Sequence, residues 1–146
     1  MANYYGAFRT NYFQVSNEEK LKDIVSRMSA GEDSVDLFTN HAPYYGFGGY
    51  GLLCGVFQKC ENGKEDESAY DIEADFDLMV KELQAILPNN EAIIIMNVGH
   101  EKLRYVTGHT VIITHSDCSY IDMACAAKAK AKEMVGDTDW DTVCEY

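Results

Sequence analysis

The chain is short of basic residues: 12 lysines and arginines stand against 24 aspartates and glutamates, a formal charge of −12 over 146 residues. That balance argues against direct nucleic-acid binding, because neutralising phosphates supplies most of the non-specific affinity. Anionic membranes are disfavoured for the same reason, and partners with basic surfaces are favoured. Long apolar runs are missing too. The longest, "AIIIM", is far shorter than a membrane span. The opening "MANYYGAFRTNYF" has no positively charged lead followed by an apolar stretch, so no signal peptide is expected and the location expected is cytoplasmic. The five cysteines, Cys54, Cys60, Cys118, Cys125 and Cys144, form no C-x-x-C pair and are odd in number. Reduced thiols are expected, some of them packed in the core, with Cys144 exposed near the end. The four histidines include no His-x₃-His pair, so neither a zinc site nor any other metal or cofactor is expected.

Only two prolines interrupt a chain that is 47% hydrophobic and 12% aromatic, which reads as one globular domain over residues 1–146. "NYYGAFRTNYFQV" alternates as a first strand. "SNEEKLKDIVSRM" follows as a helix, with Ser16 as N-cap, Glu19 three residues on, and one stripe of Leu21, Ile24, Val25 and Met28. "SVDLFTN" and "YYGFGGYGLL" read as strands joined through Pro43. An acidic loop at 61–70 leads to a second helix, in which Ile72, Phe76, Met79, Val80, Leu83, Ile86 and Leu87 recur at helical spacing until Pro88. "EAIIIMNV" and "LRYVTGHTVIIT" are strands joined by a tight turn at "GHEK". "SYIDMACAAKAKAKEMVG" reads as a third helix ending at Gly136, followed by a short acidic tail from 137 that Trp140 pins to the body. The order β-α-β-β-α-β-β-α predicts an α+β fold, a mostly antiparallel sheet of about five strands with three helices on one face.

Several patterns resemble sites without the context that the chemistry needs. "GFGGYG" matches G-x-G-x-x-G at Gly46, Gly48 and Gly51, but "LLCGVF" follows it where a phosphate-binding helix is required. Glycines interleaved with Tyr44, Tyr45, Phe47 and Tyr50 suit a bulged strand or a close helix–sheet approach better. Asp71, Glu73, Asp75, Asp77 and Glu82 mimic the spacing of a calcium loop, yet Phe76 occupies the position where the turn demands glycine. Acids in a helix's first turn are stabilised by its dipole without metal. His109 and His115 share a strand face roughly 20 Å apart and do not share an ion. His115, Ser116 and Asp117 are adjacent in sequence, which is not triad geometry, and read as polar residues capping the third helix. Lys128 and Lys132 share one face of a solvated helix. Nothing here assembles a catalytic constellation, so no enzyme is expected.

The acids themselves remain. Residues 61–77 hold eight carboxylates and one lysine, more than half of the net charge. Asp71 to Asp77 suit a helix start, and Asp77 reaches Lys81 one turn on. Glu65, Asp66 and Glu67 precede the helix and only add repulsion. Further acids gather at Glu32, Asp33 and Asp36, and at Asp137, Asp139 and Asp141. A folded row of carboxylates presents to arginine what phosphate or guanine would.

"MANYYGAFRTNYFQV", "YGFGGYG" and "EAIIIMNVGHEKLRYV" resemble a family of small acidic proteins of phages and conjugative elements in Gram-positive gut bacteria. The resemblance touches separated stretches across most of the chain and brings no catalytic residues with it. It implies a setting, in the bacterial host cell, where genes of this size include inhibitors of restriction and CRISPR nucleases. The expectation is therefore an acidic nucleic-acid mimic that occupies the basic DNA-binding surface of a defence nuclease through Glu65, Asp66, Glu67, Asp71, Glu73, Asp75 and Asp77. A small-ligand protein or enzyme with a pocket near Tyr44–Gly51 and His100 is the alternative, and an interaction module of a mobile-element complex is a further one.

Overall fold

The computed structural model describes residues 4–31, 34–58, 73–103 and 105–142. Among these, the strands are β1 (Tyr5–Thr10), β2 (Phe13–Gln14), β3 (Met28–Ser29), β4 (Asp36–His41), β5 (Tyr44–Tyr50), β6 (Gly55–Val56), β7 (Ala92–Glu101), β8 (Tyr105–Thr114) and β9 (Cys118–Asp122). The helices are α1 (Glu18–Ser26), α2 (Phe76–Ile86) and α3 (Met123–Val135). The α+β class, the three helices and the antiparallel sheet are as the sequence implies, but the helices do not share one face: α1 and α2 pack on the core side, and the start of α3 lies over Gly108 on the other. The strands outnumber the expected five, because β2, β3, β6 and β9 are short or lie where a helix or loop is expected.

Seven strands form one sheet with every pairing antiparallel, and β3 pairs with β6 apart from it. Across the sheet the order is β4, β5, then β1 and β2 along one edge of β5, then β7, β8 and β9. The break between β1 and β2 is bridged by side chains. The Thr10 hydroxyl accepts the Phe47 N–H at 3.0 Å. The Asn11 amide donates to the Ala92 carbonyl at 3.1 Å and accepts the Ile94 N–H at 2.8 Å. Both edges thus keep their hydrogen bonds through an irregular residue pair, as buried backbone groups require.

Strand alternation sends Phe8, Phe13, Tyr45, Phe47, Ile93, Ile95, Val111 and Ile113 to one face, where they form the core with Leu21, Ile24 and Val25 of α1 and Met79, Leu83 and Ile86 of α2. Phe13 and Phe47 meet edge to face, ring centres 6.0 Å apart. The Ser16 N–H donates to the Ile86 carbonyl at 2.8 Å, tying the start of α1 to the end of α2. The N-cap of α1 is Asn17, not Ser16. Its side chain accepts the Lys20 N–H at 3.1 Å, and Ser16 is instead held by its backbone to α2.

Three further expectations are corrected. Residues 118–122 pair with β8 as a strand rather than opening the third helix, since Val111 and Ile113 offer them an open sheet edge. His115 and Asp117 accordingly lie in the β8–β9 turn, His115 Nδ1 being 3.1 Å from the Leu87 carbonyl, and the cap of α3 is Asp122. The β7–β8 turn falls at Lys102 and Leu103, so Gly99 and His100 remain in paired strand. Gly136 ends α3 in the left-handed conformation (φ 76°), as expected.

α3 has no buried residue, so its caps carry unusual weight. The Cys125 N–H donates to the Asp122 carboxylate at 2.9 Å, and that hydrogen bond holds the Asp122 carboxyl below the usual aspartate range. A carboxyl lowered in the folded state stabilises it above the ordinary aspartate pKa, and the contribution is lost as pH falls through the lowered value. Far-UV circular dichroism should therefore show helix signal lost on acidification below about pH 4. Asp122→Asn, which keeps a capping oxygen, should flatten part of that loss. Superimposable titrations of the two proteins would remove Asp122 as the cause.

Candidate functional site

Glu73, Asp75 and Asp77 are all exposed at the entry to α2. They do not form one even row. Asp75 exchanges backbone hydrogen bonds with Val56 (3.1 and 2.8 Å), and its carboxylate caps α2 by accepting the Leu78 N–H at 3.0 Å. Asp77 lies inside the first turn, where the helix dipole favours it. No ion pair joins Asp77 to Lys81, contrary to the spacing argument, and among the described residues none of the three acids pairs with a cation. Glu65, Asp66, Glu67 and Asp71 lie outside the described residues, as do the 61–70 loop, Glu32, Asp33, Cys60 and Cys144.

One neighbour of this cluster was not legible in the sequence. Asp117, in the β8–β9 turn, is positioned by its own carbonyl, which accepts from Gln84 Nε2 of α2 at 3.1 Å and from the Thr114 N–H at 2.9 Å. Desolvation first, then the charges of Asp117 and Asp77, raise the Cys118 thiol above its ordinary range, although the residue as a whole is exposed. The thiol is thus kept protonated and a poor nucleophile. Cys54 and Cys125 are exposed as well, so none of the three described cysteines is packed in the core as expected.

Four cations elsewhere face acids of their own. Lys22 meets Glu18 at 3.2 Å, Lys128 meets Asp141 at 3.1 Å, and Lys130 meets Glu133 at 3.0 Å. Arg27, whose side chain is only 13% exposed, binds Glu82 at 2.8 Å, Asp23 at 3.1 Å and the Phe57 carbonyl at 2.7 Å. Glu82, the last acid of the calcium-like spacing, is therefore a structural partner that joins α1 to α2. Among the described residues no group of three His, Cys, Asp or Glu side chains is arranged to hold a metal ion.

The glycine–aromatic segment divides by strand alternation. Tyr45 and Phe47 enter the core, while Tyr50 and Gly51 border a groove of about 950 Å³. Tyr5, Val98, His100 and Val106 line the same groove. The register explains the meeting: Tyr5 is paired with His100, and His100 with Val106, across three adjacent strands. The rings of Tyr5 and His100 lie 5.7 Å apart. Gly51 (φ 96°) donates its N–H to the Gly6 carbonyl at 2.7 Å, and a side chain there would strike the Ala30 carbonyl. Lys102 and His100 supply polar groups, and among the described residues no carboxylate or thiol lines the groove. That chemistry suits binding a planar apolar group.

Comparison with family models, with curated proteins and with solved structures finds no match. No helix among the described residues is long and apolar enough to cross a membrane.

Proposed function

We propose that the chain is a non-catalytic inhibitor of a defence nuclease, a CRISPR effector or restriction enzyme, which it blocks by offering carboxylates to the surface that holds DNA. The observation that carries this reading is the exposed entry to α2, where Glu73, Asp75 and Asp77 stand without a described cation while Lys22, Arg27, Lys128 and Lys130 are engaged elsewhere. The preceding segment of the sequence adds Glu65, Asp66, Glu67 and Asp71. Arginines that grip phosphate or read guanine edges accept such carboxylates with bidentate geometry. An occupied DNA channel or PAM-reading site cannot engage its target.

The test is capture from a bacterial lysate expressing CRISPR and restriction systems, eluted by rising salt. The wild type runs beside the triple variant Glu65→Lys, Asp66→Lys and Glu67→Lys. A DNA-binding nuclease retained by the wild type, released as salt screens the contact, and bound at least tenfold more weakly by the variant at equal thermal stability is the expected result. Equal inhibition of that nuclease by both proteins would refute the assignment.

The groove supports a second reading, a small-ligand protein, because Tyr50, Gly51 and His100 converge there as a pocket requires. Its volume lies within the range of small-molecule sites. Saturable binding of one metabolite or nucleotide that Tyr50→Ala abolishes, and that moderate salt leaves intact, would favour this reading over the acidic one.

A further inference from the structure

The helices α1 and α2 cover one face of the large sheet, and the other face is left open except where the start of α3 lies over Gly108. Alternation places Tyr5, Tyr50, Met96, Val98, Val106 and Ile121 on that bare face. Tyr50 is 74% exposed, Tyr5 61%, and Val98 and Val106 58% each. Isolated apolar side chains on a surface need no explanation, but a contiguous field of this kind marks an interaction site.

We propose that this bare sheet face is the interface of a homodimer, the occupant being a second copy of the chain. Charge selects that occupant. Among the described strand residues that alternation puts on this face, the only carboxylate is Asp36; Arg9 stands two strands away across Gly48, its guanidinium 4.7 Å from the Phe38 ring, and where α3 meets the face Asp141 is already paired with Lys128 at 3.1 Å. A basic partner finds almost nothing to pair with here. A second copy brings an equally acid-poor surface, and both sets of helix-side carboxylates then point outward. Area agrees: six strands at about 4.8 Å spacing, each about seven residues long with a rise of about 3.3 Å per residue, give on the order of 700 Å². A standard interface needs about 800 Å² per partner. Only the start of α3 borders the patch, where Met123 is seated over Gly108. A two-fold axis through the sheet makes one patch serve both copies, with the sheets stacked about 10 Å apart.

The experiment is sedimentation of the full chain, in reductant, across a range of concentration and salt. The expected mass is twice the 16.4 kDa of one chain. Raising the salt should tighten the dimer, since it screens repulsion between two acidic chains, which is opposite to its effect on a complex with a basic nuclease. Met96→Glu with Val98→Glu should raise the dissociation constant at least tenfold. Both side chains are exposed, so circular dichroism should be unchanged. Met134→Glu, exposed on α3 and off the sheet, should leave the mass unchanged. A single-chain mass at every concentration and salt overturns the proposal and leaves the face to the small ligand. A dimer indifferent to the paired glutamates overturns it as well, because the contact then lies elsewhere.

Discussion

Gly55→Ala is expected to lower the unfolding free energy by about 3 kcal/mol or more, a large share of the roughly 5–15 kcal/mol that holds a domain together. Gly55 has φ 128°, a conformation that side chains rarely adopt. A Cβ there would collide with the carbonyl of Asp75 and the nitrogen of Phe76. Those are backbone atoms, and they are held in place from both sides. Val56 and Asp75 exchange two hydrogen bonds, and Asp75 caps α2. Relief therefore requires moving the start of α2 away from β6, which combines backbone strain with overpacking, each about 1–3 kcal/mol. Gly31→Ala is the control. Gly31 also has positive φ, at 77°, but among the described residues nothing lies within 4 Å of its added Cβ. It should lose only about 1 kcal/mol. The comparison is a urea titration followed by circular dichroism. Equal losses at the two glycines would mean that conformation alone decides and the contact with α2 does not.

Phe47→Ala is expected to lose about 3–5 kcal/mol, the cost of emptying a large core site that its neighbours fill only in part. Phe47 is fully buried and stacks edge to face on Phe13, which ties β5 to the far end of the first strand pair. Tyr50→Ala, three residues along the same strand, should change the stability of the single chain by no more than about 0.5 kcal/mol. Its ring points to the bare face, and its loss should appear in the dimer constant instead. Thermal unfolding at low protein concentration separates the two effects. A Tyr50→Ala loss as large as that of Phe47→Ala, measured where the chain is single, would show that the bare face is part of the core.

Much of this architecture was legible in the sequence, and the reason is local. The stripe Phe76, Met79, Val80, Leu83 and Ile86 specifies α2 because 3.6-residue periodicity needs no knowledge of what covers it. Gly136 ends α3 because few other residues adopt positive φ without strain. The pairing of β7 with β8 follows from two β-branched runs separated by a short polar turn. The candidate site was less legible. Glu73, Asp75 and Asp77 were correctly placed at a helix start, but their every-second spacing does not survive as a row, because the chain changes from extended to helical between Asp75 and Asp77. Asp117 could not be associated with them, since only the packing of α2 against the β8–β9 turn brings it near.

Local pattern by itself thus determined the class of the fold, the stripes of α1 and α2, and the excess of acid, all properties of short windows or of totals. Tertiary structure decided the rest. Residues 118–122 became a strand because β8 offered them an open edge, which outweighs running the helix of the following alanines and lysines back to Ser119. In "AIIIMNV" both alternating sets are largely apolar, and the one that includes the polar Asn97 is the one buried, so only the position of the helices chooses Ile93 and Ile95 for the core and leaves Met96 and Val98 bare. Tyr5, Tyr50, His100 and Val106 meet in one groove although they are far apart in the chain, because register across adjacent strands, a non-local property, puts them side by side.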